Sequence, residues 1–187
     1  MTNGVEPVHT EQIADLLVLN QISETLNRAV DVKGALKSAL AQLVELMGMR
    51  TGWIFIKDPA NQNRWGGRGY SLVAVHNLPP AMSLENPEAW DGGCDCQGLC
   101  NRGDLNAAYN EVRCSRLRSV HGDTEGLAVH ASTPLRSGDR VLGILNVAAE
   151  DWAEFDARAL ALLTNVGSQM GITLERAPAV IKAGASA

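Results

Sequence analysis

Four cysteines that lie close together in the sequence are the residues best suited to chemistry. They are Cys94, Cys96, Cys100 and Cys114, spaced C-x-C-x3-C-x13-C, and the chain of 187 residues contains no others. Thiolates bind metal ions, and neighbouring thiols can also be oxidised to a disulfide. In a reducing compartment, such clustering favours metal binding or redox chemistry over structural disulfides. This segment is therefore the first candidate for a functional site.

The donor set leaves several kinds of site open. Four thiolates suffice for a tetrahedral zinc ion or for a [2Fe–2S] cluster. Zinc sites usually contain C-x2-C pairs, which this spacing lacks. Glycines allow backbone amides to approach sulfur closely, and three of them lie beside the cysteines: Gly92, Gly93 and Gly98. The pattern favours an iron–sulfur cluster, while zinc, a disulfide switch and unconnected reduced thiols are the alternatives.

A few other side chains could contribute to such a site. Trp90 lies four residues before Cys94, so we expect it to shield the sulfurs from water. His121 follows the last cysteine and is an alternative metal ligand. His76 and His130 fall within predicted strands, where we expect ordinary histidines whose hydrogen bonds are satisfied in the core or at the surface.

The overall composition excludes several classes of function. The net charge is −5 and the pI is about 5.3, so the chain offers no basic surface for a phosphate backbone, and nucleic acid is not an expected partner. Its apolar stretches are shorter than the roughly 20 residues that span a bilayer. The first residues lack the basic and apolar regions of a secretory signal. We therefore expect a cytoplasmic protein with no membrane partner.

Hydrophobic residues recur at helical spacing near both ends of the chain. They predict a first helix from Thr10 to about Val30 and a second one that starts with Asp31 as its N-cap. Later in the chain, Asp151 and Glu154 form a capping-box pattern, which predicts that a long last helix begins there. Pro178 is expected to end that helix, because proline cannot continue one.

Residues of high β-propensity predict four strands. Two of them run from Thr51 to Lys57 and from Gly69 to Leu78. The other two, from Leu127 to Leu135 and from Arg140 to Ala148, are joined by a short turn of hairpin composition. Hairpins make an antiparallel sheet, whose hydrophobic face must be covered by helices. The sequence therefore predicts an α+β fold, with the N- and C-terminal helices packed on one face of an antiparallel sheet.

The cysteines fall in the one long segment that has no clear periodicity, residues 79–126. We predict a long loop there, with a possible short helix around Ala107 to Leu117. Loops of this length inside compact domains are usually functional or disordered, and the cysteines favour function. The whole chain is then expected to form one domain over residues 10–177, with a flexible N-terminus (1–9) and a flexible tail (178–187).

The second half of the sequence resembles the C-terminal half of GAF domains. In that family a strand with a small residue and a proline is followed by a turn, a V-x-G-x-L strand and a helix. The matching residues are Thr133-Pro134-Leu135 and then Val141, Gly143 and Leu145. The opening helices and first strand also look like those of the family, so the resemblance covers about residues 12–176. It implies a GAF-like fold.

The cysteine pattern, with Cys114-Ser115-Arg116-Leu117 at its end, is similar to that of the GAF input domains of NarX-like bacterial sensor histidine kinases. Some redox-sensing kinases of this kind hold a [2Fe–2S] cluster on four GAF cysteines. The resemblance implies that Cys94, Cys96, Cys100 and Cys114 bind such a cluster, with zinc as the alternative. It further implies a redox or oxygen sensor in two-component signalling, with a histidine kinase or another output module as partner.

Other functions of the fold stay open as alternatives. One GAF-fold family reduces free methionine-R-sulfoxide with a nucleophilic cysteine, but the cysteines here are closer together and its motif is absent, so we expect no enzyme. A domain that binds a small ligand, or one stabilised by zinc, is a further alternative. The broad apolar stripe of the first helix predicts a homodimer formed through the terminal helices.

Overall fold

The computed structural model describes residues 6–28, 31–108 and 115–177, with side chains from residue 11 onward. The predicted tail, 178–187, and most of the predicted flexible N-terminus lie outside the described residues, although the first helix already begins at Glu6. The helices are α1 (Glu6–Arg28), α2 (Val32–Leu46), α3 (Pro87–Trp90), α4 (Asp95–Arg102), α5 (Ser115–Ser119) and α6 (Ala157–Arg176). The strands are β1 (Thr51–Lys57), β2 (Tyr70–His76), β3 (Val129–Ser137) and β4 (Arg140–Ala149).

The four strands form one antiparallel sheet in the order β2-β1-β4-β3. The predicted α+β class and sheet are confirmed, and β1 has the predicted bounds. The other three strands differ from the prediction by one or two residues at one or both ends. Asn146 lies in the central strand β4. It is opposite Trp53 of β1 on one side and opposite Ser132 of β3 on the other. Side chains of these residues point away from the long helices, toward the segment that carries the cysteines.

The long helices α1, α2 and α6 cover one face of the sheet, as predicted. Their apolar side chains join those of the strands in a core that excludes solvent, with Ile22, Leu40 and Met170 fully buried. Burying one such side chain stabilises the fold by about 2 kcal/mol. Asp31 is the N-cap of α2 as the sequence indicates, because its carboxylate accepts hydrogen bonds from the amides of Lys33 and Gly34.

Helix α6 approaches β3 unusually closely, because it has glycines at the contact. A Cβ atom on Gly167 would lie 2.6 Å from the carbonyl oxygen of Pro134. A Cβ atom on Gly171 would overlap the backbone of Arg136. Since contacts this short are sterically forbidden, only glycine lets the helix backbone rest directly on the strand.

The last helix begins later than predicted. The capping box of Asp151 and Glu154 is present, but it closes a single 3-10 turn, Trp152–Glu154. Phe155 then leaves the helical conformation and is buried in the core at 2 % exposure. Helix α6 starts at Ala157, with Asp156 as its N-cap. Two aspartates suited to capping lie close together here, and burial of the phenylalanine between them determines which one starts the long helix.

The segment 79–126 is not a continuous loop. It contains a 3-10 turn at Pro80–Met82 and the short helices α3, α4 and α5, which pack as a second layer on the face of the sheet opposite the long helices. The helix predicted around Ala107 to Leu117 is seen only as α5, and residues 109–114 lie outside the described residues. In the part of the chain that is described, no helix is both long and apolar enough to cross a membrane.

Candidate functional site

Helix α4 brings three of the four predicted ligand residues together. Cys94 is its N-cap, Cys96 lies in its first turn, and Cys100 follows one turn later on the same side. Their side chains are nearly inaccessible, at 9 %, 1 % and 4 % exposure. The sulfurs of Cys94 and Cys96 are 2.8 Å apart. Cys114, the fourth predicted ligand, lies outside the described residues.

A cysteine replaces the usual serine in the capping box that starts α4. The Cys94 sulfur faces the backbone N–H of Gln97, and the Gln97 side-chain oxygen accepts a hydrogen bond from the backbone N–H of Cys94 at 3.2 Å. The Gln97 amide group also donates to the carbonyl oxygen of Gly66 at 2.6 Å, which anchors the helix to the turn before β2. Gly103, with a φ of 80°, ends the helix. The sulfur therefore lies at the positive end of a helix dipole.

The Cys94 thiol is more acidic than an ordinary cysteine. Its pKa is lowered to about 7, mainly by the hydrogen bond with the Cys96 thiol, and further by the positive charge of Arg116. Burial opposes this shift because it disfavours the thiolate. The thiolate is the form that binds metals and attacks electrophiles. A substantial fraction of Cys94 is therefore ready to act as a ligand near neutral pH.

The separation of the Cys94 and Cys96 sulfurs is neither that of a disulfide nor that of two ligands of one metal ion. The 2.8 Å separation is longer than a disulfide bond of about 2.05 Å. It is shorter than the roughly 3.8 Å between two sulfurs bonded at about 2.3 Å to one tetrahedral ion. Among the described residues, no three His, Cys, Asp or Glu side chains are arranged to hold a metal. The donor set of buried thiols at a helix N-terminus nevertheless has the chemistry that an iron–sulfur cluster or zinc requires.

Tyr70 of β2 adds a buried hydroxyl to the thiols. The hydroxyl donates a hydrogen bond to the side-chain oxygen of Asn101 at 2.8 Å. Burial, followed by the hydrogen bond and charge of Cys100, raises the pKa of Tyr70 well above its usual range. The phenol therefore stays protonated, and it remains a hydrogen-bond donor beside the sulfurs at any physiological pH.

Arg116 is the residue of this site whose role the sequence did not indicate. It is 4 % exposed although it carries a charge. Its guanidinium donates to the carbonyl oxygens of Ala89 at 2.9 Å and Gly92 at 3.0 Å, and it lies 5.3 Å from the ring centres of both Phe55 and Trp90. The only sequence signal was its position two residues after Cys114 in the C-x-R-L pattern.

Trp90, which the sequence suggested as a shield for the sulfurs, packs among aromatic residues of the cysteine layer. It is fully buried, in the same apolar cluster as the three described cysteines. Its ring packs edge-on against Trp53, with centroids 6.3 Å apart, and its indole N–H donates to the carbonyl oxygen of Met82. On the other side, Cys94 borders an open groove of about 400 Å³, which Arg64 and Arg68 also line. Of the three described thiols, that of Cys94 is therefore the one that borders the groove.

His130 contradicts the expectation of an ordinary histidine with satisfied hydrogen bonds. It is 1 % exposed, and neither ring nitrogen has a hydrogen-bond partner among the residues that the structure describes. Its ring lies 5.7 Å from that of Trp53, whose indole N–H is likewise unpaired. Burial, and then the charge of Arg116, lowers the pKa of His130 to about 4. By contrast, His121 is exposed, and its Nδ1 atom lies 3.1 Å from a carboxylate oxygen of Glu88.

The low pKa of His130 predicts that folding stability depends on pH. Between the unfolded pKa of 6.5 and the folded value of about 4, the unfolded state binds the extra proton. Stability is therefore complete above pH 6.5 and falls, by about 3 kcal/mol in all, as the pH drops through this window. Denaturant unfolding between pH 5 and 7 measures how the free energy of unfolding depends on pH. This dependence should be shallower in His130→Leu than in the wild type or in the exposed control His121→Gln. Equal slopes in all three proteins would show that His130 does not cause the effect.

Comparison with known proteins agrees with this architecture. Residues 29–175 match the family model of the GAF domain. The sensor histidine kinase YhcY of Bacillus subtilis (strain 168) is 38 % identical over 166 residues, which cover 86 % of this chain and 42 % of that protein. The chain thus spans less than half the length of this curated relative.

Two solved structures show the same fold at low sequence identity. The GAF domain of a phosphoenolpyruvate-protein phosphotransferase from Coxiella burnetii has a TM-score of 0.67 and 18 % identity, covering 91 % of this chain and 96 % of that one. Free methionine-R-sulfoxide reductase from Neisseria meningitidis has a TM-score of 0.58 and 18 % identity, and the match covers 84 % of this chain and 86 % of that one. At these identities the likeness concerns the fold alone.

Proposed function

The chain belongs to the GAF domain family, and we propose that it is a sensory domain that binds a [2Fe–2S] cluster and responds to redox state or oxygen. The ligands would be Cys94, Cys96, Cys100 and Cys114. The observation that carries the proposal is the burial of three thiols along one short helix, α4, in a single apolar cluster. When bound, a [2Fe–2S] cluster supplies one-electron redox chemistry.

The residues around the thiols have separate tasks in this proposal. The backbone N–H of Gln97 and the dipole of α4 stabilise thiolate at Cys94. Tyr70 keeps a protonated hydroxyl, hydrogen-bonded to Asn101, beside Cys100. Trp90 excludes water from the sheet side, and the groove beside Cys94 gives a small oxidant a way in. Hydrogen bonds to sulfur and limited solvent access are the features that tune such centres.

The signal would travel through the sheet. The layer formed by residues 79–126 packs on one face, and α1, α2 and α6 pack on the other. In β3, His130 faces the cysteine layer, while Ala131 and Leu135 contact the long helices. A change in the order of the cysteine layer would therefore change the position of β3. Helix α6 would be affected in turn, because it contacts β3 at Gly167 and Gly171. A difference of a few kcal/mol between the free energies of the ordered and the less ordered state of that layer is sufficient to shift the population from one to the other.

The similarity to a sensor histidine kinase supports a place in two-component signalling. We propose that the output partner is a histidine kinase or a comparable module, and that the domain itself senses and does not catalyse. The solved reductase supports the shared fold and carries no argument for its activity here.

We further propose that the domain forms a homodimer through α1. On the side of α1 opposite the core, Ile13, Leu16 and Leu17 are 57–60 % exposed, an apolar stripe of the kind that pairs helices. Leu17→Glu should weaken self-association about hundredfold or more, because two charges would be buried in the dimer. Sedimentation equilibrium can measure this. The control, Gln62→Glu, adds the same charge at an exposed position between β1 and β2, away from α1, and should leave the dimer intact. A monomeric wild type would refute the dimer.

Anaerobic purification followed by absorption spectroscopy and metal analysis tests the proposed site. We expect about two iron and two sulfide per chain, with visible absorption that bleaches on reduction. One zinc per chain in a colourless protein would instead indicate a structural zinc site. Neither metal, together with reversible disulfide formation, would indicate a thiol switch, and turnover of methionine sulfoxide would indicate the reductase activity. Any of these three results contradicts the proposed function.

A further inference from the structure

The outer face of α1 changes from apolar to polar halfway along the helix. One face of α1 is buried in the core, where Ile22 is fully inaccessible. The opposite face carries the exposed apolar stripe in the first half of the helix, including Ile13 and Leu16. In the second half the same face carries two exposed amides, Asn20 and Asn27. The stripe therefore continues into amide side chains, which recognise a partner by hydrogen bonding.

These residues follow the seven-residue repeat of paired helices. Ile13, Asn20 and Asn27 are each seven residues apart, and Leu16 and Ser23 lie three residues after the first two. Seven residues make about two helical turns, so these side chains form one row along the helix. Apolar residues at the first and fourth positions of such a repeat hold two helices together, while asparagine at a first position fixes their register at some cost in stability. The row therefore has the pattern of a helix that pairs with its partner in a single register.

Neighbouring helices of the domain hold α1 with this row on its outer side. Near the end of α1, the Thr25 hydroxyl donates a hydrogen bond to the side-chain oxygen of Gln42 of α2 at 2.7 Å. Near its start, Arg158 of α6 donates to Asp15, with the Nε atom 2.9 Å from a carboxylate oxygen. These contacts fix the rotation of α1 about its own axis. The row is therefore presented to a partner and not to the rest of the domain.

We propose that two copies of the chain pair through their α1 helices in parallel and in register, so that Asn20 and Asn27 each meet the same residue of the second copy. This inference rests on the homodimer of the proposed function and adds its direction and register. In a parallel pair the apolar halves pack together, and each amide can donate to and accept from its copy. An antiparallel pair centred on Asn20 would instead bury Asn27 against Ile13, which leaves a buried donor and acceptor unsatisfied.

The parallel arrangement also determines how the last helices are directed. A twofold axis that runs along the paired helices preserves the direction of every element along that axis. The two copies of α6 therefore point the same way, and Arg158 ties the first turn of each one to Asp15, next to Leu16 of the row. An output module would then contact both α6 helices from the same end of the dimer.

Charge swaps in the full chain test the register. Asn20→Asp and Asn20→Lys are measured by sedimentation equilibrium, each alone and as an equal mixture, and so are Asn27→Asp and Asn27→Lys. In the parallel dimer each charge meets its own copy, so every single variant should dissociate at least about tenfold more readily than the wild type. Each mixture should regain most of this loss, because aspartate then meets lysine. Both positions are exposed on the helix surface, so the domain itself should stay folded.

Two further sets of variants accompany the charge swaps. Gln62→Asp and Gln62→Lys are the matched controls, because Gln62 is exposed between β1 and β2, and they should associate like the wild type, alone and mixed. Asn20→Ile should have the opposite effect and tighten the dimer about tenfold, because an apolar residue then replaces a buried amide at a first position of the repeat. Unchanged association of Asn20→Ile would place Asn20 outside the contact and overturn the inference.

The outcomes at the two positions separate the possible pairings. Association restored by mixing at both Asn20 and Asn27 supports the parallel register. Restoration at Asn20 but not at Asn27 would indicate an antiparallel pair centred on Asn20 and overturn the inference. A dimeric wild type whose charged variants associate as tightly as it does would also overturn the inference, but not the dimer. A monomeric wild type would overturn the homodimer as well, whereas the iron and sulfide content tests the sensory site independently of this result.

Discussion

Replacing Cys96 by serine should leave the protein folded but unable to retain iron. The Cys96 side chain is 1 % exposed and its sulfur lies 2.8 Å from that of Cys94, at the centre of the proposed ligand set. A serine hydroxyl is a poor ligand for this chemistry, because its oxygen is harder than sulfur and is not ionised near neutral pH. We expect iron and sulfide per chain to fall more than tenfold and the visible absorption to disappear.

A matched control separates ligand loss from a loosened core. Ala81→Ser places a hydroxyl in the same buried cluster, at a position that is 3 % exposed and is not a proposed ligand. Burying an unpaired hydroxyl costs about 1–3 kcal/mol in either variant, so the two proteins should melt at similar temperatures. Only Cys96→Ser should lose the metal. Retention of iron by Cys96→Ser, or its equal loss from Ala81→Ser, would remove Cys96 from the ligand set.

The second large effect is expected at the contact between α6 and β3. A Cβ atom at Gly171 would overlap the backbone of Arg136, and backbone atoms of a central sheet cannot move aside as a flexible side chain can. Gly171→Val should therefore force α6 away from the sheet, although valine is a better helix former than glycine. Overpacking, together with the loss of contacts around Met170, should lower the free energy of unfolding by on the order of 3 kcal/mol or more.

Thermal unfolding provides the measurement for this prediction. For a domain of this size, such a loss corresponds to a decrease in melting temperature of about 6–12 °C. Ala161→Val introduces the same residue on the exposed side of the same helix and should cost only the difference in helix propensity, about 0.6 kcal/mol. A Gly171→Val protein that is as stable as Ala161→Val would mean that the close contact does not exist.

The same glycines bear on the proposed signalling route. Because Gly167 and Gly171 let α6 rest on the backbone of β3, a small displacement of that strand cannot be absorbed by side chains between them. On its other face, β3 presents His130 to the layer that carries the cysteines. Strand β3 therefore contacts both layers, as β1 and β4 do.

Local patterns in the sequence were reliable wherever neighbouring residues set the structure. Asp31 caps α2 because its carboxylate bonds amides only two and three residues away. Strand β1 has the bounds that its β-branched and aromatic residues indicate. The start of α6 shows the limit of such reasoning, because both Asp151 and Asp156 suit the N-cap role locally. Burial of Phe155 decided between them, and burial depends on the rest of the fold.

The error about His130 has the same physical origin. Its place in a strand was predicted, but residues 79–126 were expected to form a loop, which would leave that face of the sheet partly open to water. The short helices of this segment instead form a packed layer that buries the imidazole with no hydrogen-bond partner. Helices of four to eight residues are too short to produce a clear hydrophobic periodicity.

The periodicity of the apolar residues was enough to predict the fold class and the layer of long helices. Periodicity is a property of residues close together along the chain. Folding alone brought Arg116 to the rings of Phe55 and Trp90, and no spacing could reveal this because these residues are far apart in the sequence. The burial of this charge is a consequence of packing between distant segments, and long-range packing is what local patterns do not encode.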